Sequence, residues 1–370
     1  MIDTLLVLNT GSSSLKFQIF EDRTLNVLMS GKVTGIGDTP RLRAKLPDGR
    51  GTQTSLPANT NHNSALSAVM DLIAGYDHAW RTAAIVHRVV HGGEAFIEPV
   101  IVTPDVMRSL EALIPLAPLH QPHNLAGITA SARLASGAPD IACFDTAFHA
   151  GHDKLISSFA LPREIRDKGI RRYGFHGLSY DWISQVLAKD HPDLHAGRVV
   201  VGHLGNGASL CALRNGISVD TTMSMTALDG IPMGTRSGSI DPGAVLYMLH
   251  DLDLGVETVQ DILYERSGLK GLSGMSNDVE ALLRSDDPQA AFALEYFALK
   301  TAQHAAMMAV SMGGIDAFVF TGGIGEHAAA VREAIIGRLA FLGAFKTLVI
   351  PTNEERLMAT QAQKLLCRAA

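Results

Sequence analysis

The most regular pattern of apolar and polar positions opens the chain. Residues 5–8 are apolar and lead into Asn9 and the small polar residues 10–14, after which apolar and polar side chains alternate over residues 15–20. Alternation with a period of two is typical of a half-buried strand. The pattern predicts two strands joined by a tight turn whose backbone N–H groups can surround a phosphate. An ordinary β-hairpin with a serine-rich loop accounts for the same residues equally well.

The pattern of a strand followed by a glycine turn recurs in the second half of the chain. The apolar run 199–201 leads to the turn 203–207, and the apolar run 318–320 leads to residues 322–326, which are predicted to open a helix. Such recurrence indicates a duplicated architecture. We therefore predict an α/β fold of two lobes, with duplicated mixed-sheet domains and a ligand cleft between them.

Length and composition bound this prediction. At 370 residues the chain is too long for one ordinary core, and we divide it into domains at residues 1–148 and 149–352. The net charge is −6, and no run of Lys or Arg is long enough to follow a nucleic acid or an anionic membrane. Nucleic acid and membrane are therefore not expected as partners.

The expected location is the cytoplasm. The three cysteines include no C-x-x-C pair, which argues against a disulfide framework or a zinc site and fits a reducing compartment. Asp3 stands where an export signal would be basic, and no stretch of eighteen apolar residues follows.

Several polar residues occupy predicted strand ends and turns, namely Asn9, Arg88, Asp145, His176, Asn206, Arg236 and Glu326. Phosphoryl transfer needs such groups, because it depends on positioning and on neutralising phosphate charge. Four of them have another explanation. Arg88 could pair with Glu94, and Asp145 could cap a helix. Glu326 could simply lie in a helix first turn, where acids are favoured, and His176 could be a structural core histidine.

A specific resemblance emerges when the motifs are taken together. The segments NTGSSSLKF, HRVVHGGE, APLH, FDTAFH, RRYGFHG, HLGNGAS, MGTRSG and FTGGIGE occur in one order over most of the chain. In this respect the chain resembles the acetate kinases, within the superfamily of acetate and sugar kinases and actin. The resemblance implies an actin-like, two-lobed fold in which the C-terminal helix, at 353–366, returns to the first lobe.

The activity implied by the resemblance is transfer of the γ-phosphoryl group of ATP to acetate, giving acetyl phosphate and ADP. Mg²⁺ is the implied cofactor, for which Mn²⁺ could substitute, and a homodimer is the implied assembly. The implied catalytic residues are Arg88, His120, Asp145, His176 and Arg236. The implied substrate residues are Arg88, Val90, Leu119 and Phe175. The implied residues for the nucleotide and its phosphates are Asn9, Ser12, Lys16, His203, Asn206, Gly207, Asp278, Gly323 and Gly325. The implied metal ligands are Asn9, Asp145 and Glu326.

Three positions depart from the family pattern. Ala227 replaces a proline, Ser239 replaces an acid, and Glu280 replaces an arginine near the adenine. Preference for the acyl chain and for the nucleotide base depends on such positions, so a propionate or butyrate kinase is the nearest alternative. An actin-like, nucleotide-gated assembly protein is a more distant one, disfavoured by Arg236 and by the apolar segments VVHGG and PLH.

Overall fold

The computed structural model describes residues 1–369 except 12, 47, 77, 78 and 136, with side chains through residue 368. The chain divides into two compact units. The first consists of Met1–Ala147 and the stretch from Asn353 to the C-terminus, and the second is Phe148–Thr352. Within the described residues, no helix has both the length and the apolar character needed to cross a membrane.

An eight-stranded mixed sheet forms the centre of the first unit. Its strands are β1 (Ile2–Thr10), β2 (Ser14–Glu21), β3 (Val27–Thr34), β4 (Arg41–Lys45), β5 (Gly51–Ser55), β6 (Trp80–Val89), β7 (Val100–Ile101) and β8 (Asp140–Phe144). The strand order is β5-β4-β3-β2-β1-β6-β8-β7. Because β1, β6 and β8 are parallel neighbours, their carboxyl ends lie at one edge of the sheet.

Helices cover the faces of this sheet. They are α1 (His62–Tyr76), α2 (Pro104–Glu111), α3 (Gln121–Leu134) and the C-terminal helix (Glu354–Ala369), with a 3-10 turn at Ile114–Leu116. The α1 helix buries Leu66, Val69 and Ile73 against the alternate apolar side chains of β1 to β4. The α2 helix begins at a capped end, where the Thr103 side chain accepts a hydrogen bond from the Val106 N–H.

The second unit repeats the central topology of the first. Its strands are β9 (Arg198–Leu204), β10 (Ala208–Arg214), β11 (Ile217–Thr221), β12 (Ala317–Thr321) and β13 (Lys346–Val349), in the order β11-β10-β9-β12-β13. As in β3-β2-β1-β6-β8, two antiparallel pairings precede two parallel ones. The predicted α/β fold with duplicated mixed sheets is therefore confirmed. The prediction of a ligand cleft stays a prediction.

The helices of the second unit flank this sheet and the turns that follow its strands. They are α4 (Lys154–Ser157), α5 (Arg163–Arg166), α6 (Gly177–Asp190), α7 (Pro192–His195), α8 (Pro242–His250), α9 (Val256–Glu265), α10 (Gly268–Ser273), α11 (Val279–Leu283), α12 (Pro288–Met312), α13 (Gly322–His327) and α14 (Ala329–Arg338). Two 3-10 turns, Ala147–His149 and Ala340–Leu342, complete the set. Residues 322–326 open a helix as predicted.

Candidate active site

The first glycine turn lies between β1 and β2, as the apolar pattern predicts. The Gly11 N–H donates to the Ser14 carbonyl at 2.9 Å, and the Gly11 carbonyl is 2.7 Å from His62 Nε2. Asn9 and Lys16 are directly opposite each other on the two strands. The predicted phosphate ligand Ser12 lies outside the described residues. The backbone of the turn is thus held from both sides, with an amide and an ammonium group on one sheet face.

Arg88 pairs with two carboxylates at the carboxyl edge of the first sheet. Its Nη2 donates to Asp145 Oδ2 at 2.7 Å and its Nε to Asp145 Oδ1 at 3.1 Å, while Nη1 is 3.1 Å from Glu354 Oε2. Arg88 therefore pairs with two carboxylates, neither of which is the surface Glu94 considered from the sequence. Asp145, likewise, holds Arg88 and does not cap the following helix.

Burial and charge oppose each other in this cluster. Burial raises the pKa of Asp145 to about 6, against the lowering effect of the Arg88 guanidinium and with a further increase from Glu354. Burial also disfavours the charge of Arg88, but Asp145 and Glu354 outweigh it and raise the pKa of Arg88 above its already high value. We conclude that Arg88 stays charged and holds Asp145 ionised at neutral pH.

Glu354 is a site residue that sequence reasoning missed. It lies in the first turn of the C-terminal helix and is 8% exposed. Asn353 precedes it and accepts a hydrogen bond from the Arg356 N–H at 3.0 Å, as a helix cap does. The available signal was an acidic first turn in a helix expected to return to the first lobe. An acid is common at such a position without any site, so the signal was weak.

The residues expected to contact the acyl group belong to both units. In the first unit, the Val90 N–H donates to Asn124 Oδ1 at 3.0 Å, and Leu119 and His120 are half-buried immediately before α3. In the second unit, Phe175 is 2% exposed and its carbonyl is 3.0 Å from His149 Nε2. These contacts place each residue within its own unit, and the acyl pocket itself stays a prediction.

The second unit brings two predicted histidines into contact. His176 precedes α6 in the left-handed region, with φ 57°, and its Nδ1 is 2.8 Å from Ser209 Oγ. The His203 ring stacks on it with centroids 4.4 Å apart, and His203 Nδ1 is 2.8 Å from Ser179 Oγ. In each ring, Nδ1 is therefore hydrogen-bonded to a serine hydroxyl group, which orients the ring. Such a bond determines which ring nitrogen carries the proton.

Arg236 and Gly207 lie beside His176. A Cβ atom built on Gly207 would be 3.3 Å from His176 Nε2 and 3.8 Å from Arg236 Nη1. Arg236 Nη1 also donates to the Ala227 carbonyl at 3.1 Å, and the guanidinium carbon is 6.0 Å from the centroid of the Tyr264 ring. The fold thus places a cation and an imidazole against Gly207, which has no side chain of its own.

A pocket of about 560 Å³ adjoins the glycine turn of β9 and β10. Predicted nucleotide-binding residues lie on its wall: Asn206, Asp278 and Gly323. The Asn206 carbonyl accepts a hydrogen bond from the Gly234 N–H at 3.0 Å, and a Cβ at Gly234 would overlap Asn206 Oδ1. The pocket therefore depends on glycine at position 234. The volume is within the range usual for small-molecule sites.

Two other predicted residues have different surroundings. Gly325 is buried against Gly202 and Phe320, beneath the pocket lining and not in it. Glu326 Oε1 accepts hydrogen bonds from the Gly322 N–H at 3.0 Å and the Thr352 N–H at 3.1 Å. Glu326 is therefore not in the first turn of α13, as the alternative explanation supposed, although its side chain accepts from the first N–H of that helix. Its Oε2 can still accept another partner.

A family assignment can be made from the whole chain. The model of the acetokinase family matches residues 4–353. The chain belongs to the acetokinase family. Its relatives include proteins named acetate kinase from Rhodopseudomonas palustris, 46% identical over 93% of this chain and 88% of the relative, and from Rhizobium meliloti, 46% identical over 99% of each chain.

Solved structures of acetokinase-family proteins match the fold. A structure described as a propionate kinase from Francisella tularensis has a TM-score of 0.92 and 35% identity, with 97% of this chain and 99% of that chain covered. The acetate kinase of Porphyromonas gingivalis has a TM-score of 0.87 and 31% identity, with 98% and 100% covered. The resemblance inferred from the motifs is therefore confirmed.

A buried histidine pair begins at His149, the last residue of the motif FDTAFH. His149 Nδ1 is 2.8 Å and His152 Nε2 is 2.7 Å from the same hydroxyl oxygen, Ser218 Oγ. Burial, followed by the charge of the other histidine, lowers the pKa of His149 to about 3. Burial, followed by Arg172 and Arg171, lowers the pKa of His152 to about 4. Both rings are therefore neutral in the folded acetokinase.

This pair predicts a loss of stability in acid. Because the folded pKa of His152 lies below its ordinary value of 6.5, the unfolded chain binds the proton first as the pH falls. The stabilising contribution is complete above the unfolded pKa and is lost as the pH falls toward the folded one. Each histidine should account for about 2 kcal/mol between pH 7 and pH 5. Urea unfolding at the two pH values measures the loss.

Two variants separate this effect from general acid denaturation. His152→Gln should reduce the pH-dependent loss by about 2 kcal/mol, since it removes one titrating group. His327→Gln is the control, because His327 is exposed at the end of α13, and its loss should equal that of the wild type. An unchanged loss in His152→Gln would show that the buried pair is not responsible.

Proposed function

We propose that this protein is an acetate kinase that reversibly transfers the γ-phosphoryl group of ATP to acetate, giving acetyl phosphate and ADP. The observation that carries the proposal is the meeting of His176, Gly207 and Arg236 beside the 560 Å³ pocket. A glycine turn with adjacent cationic and imidazole groups suits a phosphoryl group. The acetate kinase names of the relatives at 46% identity support the choice of acceptor.

In this proposal the two arginines neutralise the transferring group. Arg236 is held by a backbone carbonyl and an aromatic ring, so its guanidinium is in place before the substrate binds. Arg88 is held by carboxylates on both sides. Charge that is fixed in advance stabilises the transition state without reorganisation. His176 presents its Nε2 edge toward Gly207 and can donate to a phosphate oxygen when protonated there.

The acceptor needs no general base. The carboxylate of acetate is ionised at neutral pH and can attack the γ-phosphorus directly, in line with the leaving ADP oxygen. What the protein must supply is orientation and exclusion of water. We assign the orientation of the carboxylate to Arg88 and the enclosure of its methyl group to Val90, Leu119 and Phe175, with His120 helping to arrange the site.

The donor chemistry of the first unit fits Mg²⁺. That ion prefers oxygen ligands and is usually held by one or two carboxylates together with substrate phosphates and water. Asp145 and Glu354 provide two carboxylates around Arg88. Asn9 lies near the carboxyl end of β1, the strand that runs parallel to β6 in the same sheet. We therefore place Glu354 with Asp145 and Asn9 as the residues that would hold the ion. Glu326, in the other unit, is already bonded to two backbone N–H groups.

Bound Mg²⁺, or Mn²⁺ in its place, would neutralise and orient the phosphates of ATP. For the nucleotide itself, we assign the phosphates to the Asn9–Lys16 turn and to His203, Asn206 and Gly207. We assign the adenosine to the pocket that Asp278 and Gly323 line. Gly325 supports that pocket from below.

A homodimer is part of the proposal. The α8 helix buries none of its residues, and Leu246 and Tyr247 on it are each 55% exposed. Leu252 and Val256, which follow, are 52% and 71% exposed. Adjacent exposed apolar side chains are typical of an interface between subunits.

We further infer a cytoplasmic enzyme, because its cysteines are free thiols.

The test is direct phosphorylation of short carboxylates. Purified protein with Mg²⁺ and ATP is incubated with acetate, propionate or butyrate, and the acyl phosphate is trapped with hydroxylamine. The proposal expects a hydroxamate product that depends on acetate. ATP-dependent filaments without any acyl phosphate would instead support an assembly protein.

The acyl preference should be broad. Ala227 replaces the proline usual in the family, and its carbonyl holds Arg236. The absent ring leaves room for a methylene, which is worth about 1–3 kcal/mol in an apolar pocket. We therefore expect kcat/KM for propionate close to that for acetate, and a roughly tenfold lower propionate-to-acetate ratio in Ala227→Pro. Ala227→Ser is the control of similar size. An unchanged ratio in Ala227→Pro would exclude this position as a determinant.

Base selectivity should be weak. Glu280 lines the nucleotide pocket and pairs with Arg284 one helical turn later. A carboxylate cannot stack on adenine as a guanidinium can, whereas the phosphate-binding groups are retained. In the wild type we expect similar KM values for ATP, GTP and ITP. Glu280→Arg should lower the KM for ATP more than the KM for GTP or ITP. Steady-state assays with the three nucleotides measure this. Strong ATP selectivity that persists in Glu280→Arg but disappears in Arg284→Ala would assign the stacking to Arg284.

A further inference from the structure

A second groove, which shares no lining residue with the 560 Å³ pocket but includes Lys16 of the phosphate turn, lies on the open face of the first sheet. It has a volume of about 660 Å³, and its walls are the strands β2 to β5 with one residue of the C-terminal helix. Four of its lining residues are cations, namely Lys16, Lys32, Arg43 and Lys45, and the one acid is Glu355. We call this the sheet-face groove.

The cations of the sheet-face groove are aligned by strand register. Lys16 is directly opposite Lys32, and Lys32 is directly opposite Arg43, on three successive strands. Lys45 is opposite Ser30, one pair further along the same face. Neighbouring strands are about 4.8 Å apart, so the row places three positive charges within about 10 Å. The row cannot be read as a run in the sequence, because each strand contributes one member.

The four cations of the groove outnumber its one carboxylate, Glu355. Lys32, Arg43 and Lys45 are exposed, and none of them forms an ion pair with another described residue. Like charges directly opposite each other on adjacent strands are destabilising. The face therefore carries a repulsion that a bound anion would relieve. The opposite face of the same strands packs into the core, so the row cannot turn inward.

We propose that the sheet-face groove binds a small polyanion built from linked phosphates, such as inorganic polyphosphate or a nucleoside polyphosphate. Several adjacent negative charges match several adjacent cations, and Arg43 can bind a phosphate through two N–H groups at once. The volume suits a small molecule. The row is too short to follow a nucleic acid backbone over many phosphates, which favours the small ligand over the macromolecule.

The test is titration calorimetry of the full-length protein with inorganic tripolyphosphate, in the absence of Mg²⁺. Arg43→Gln/Lys45→Gln should weaken the affinity by roughly tenfold or more, because two charge-assisted contacts are removed. The binding of this variant should also depend less on salt. Lys168→Gln/Lys189→Gln removes the same charge from exposed positions in the second unit and should leave the affinity unchanged. Acetate phosphorylation should be unaltered in both, which shows that both are folded.

A parallel titration with Mg²⁺-free ATP identifies the source of the phosphates. If the groove variant weakens ATP and tripolyphosphate equally, the groove reads the phosphate chain alone. If it weakens only tripolyphosphate, the ligand is inorganic polyphosphate. Equal tripolyphosphate affinity in the wild type and the groove variant would overturn the proposal. Groove-dependent binding of single-stranded DNA or of an acidic peptide, without binding of tripolyphosphate, would also overturn it.

Discussion

Replacing Arg236 with alanine should lower kcat by about a hundredfold or more, with a much smaller change in KM. The guanidinium is fixed before substrate binds, by the Ala227 carbonyl and the Tyr264 ring. Its charge is therefore most valuable when negative charge spreads over the equatorial oxygens of the phosphoryl group. Initial rates of hydroxamate formation, at saturating ATP and acetate, measure kcat directly.

Two further variants define what Arg236 contributes. Arg236→Lys should recover only part of the lost rate, because an ammonium cannot reproduce the planar fork of donors. Arg266→Ala removes a nearby exposed arginine that pairs with Asp261 and should keep the wild-type rate. If Arg236→Ala retained a nearly normal kcat, Arg236 would have no part in catalysis. A wild-type urea midpoint in Arg236→Ala would show that the rate loss is not an unfolding effect.

The local parts of this fold were predictable from short stretches of sequence. The alternation over residues 15–20 predicts β2, and the Asn215-Gly216 pair predicts the turn between β10 and β11, where both residues have positive φ, 52° and 72°. Boundaries were less accurate. The apolar run 83–86 indicates only the middle of a strand that extends over Trp80–Val89, so that Arg88 lies within β6. The α1 helix begins at His62, earlier than its apolar face indicates.

What the sequence did not reveal depends on contacts between distant segments. Glu354 becomes a partner of Arg88 only because the C-terminal helix packs on the first sheet. His62 begins α1 while its ring contacts Gly11 in the first turn. The cationic row of the sheet-face groove arises from the register of β2, β3 and β4. Neither periodicity nor motif spacing contains information of this kind, since each reports only on neighbours in the chain.

The contacts of Arg88 predict a double defect in Arg88→Ala. Loss of the guanidinium should lower kcat by about a hundredfold or more, as for Arg236. It should also destabilise the first unit by about 3–5 kcal/mol, because Asp145 and Glu354 would be buried near each other without a cation. Urea unfolding together with the hydroxamate assay measures both effects.

The two defects of Arg88→Ala should separate in a second variant. Adding Asp145→Asn removes one of the two carboxylate charges that Arg88→Ala leaves without a cation. The double variant Arg88→Ala/Asp145→Asn should therefore regain part of the lost stability without regaining activity. Arg81→Ala is the control on the same strand. Its exposed pair with Asp3 should contribute little to stability and nothing to the rate, because solvent screens it. If the double variant were less stable than Arg88→Ala, repulsion between Asp145 and Glu354 would not be the cause of the instability. The role of Arg88 as the cation that holds both carboxylates together would then have to be abandoned.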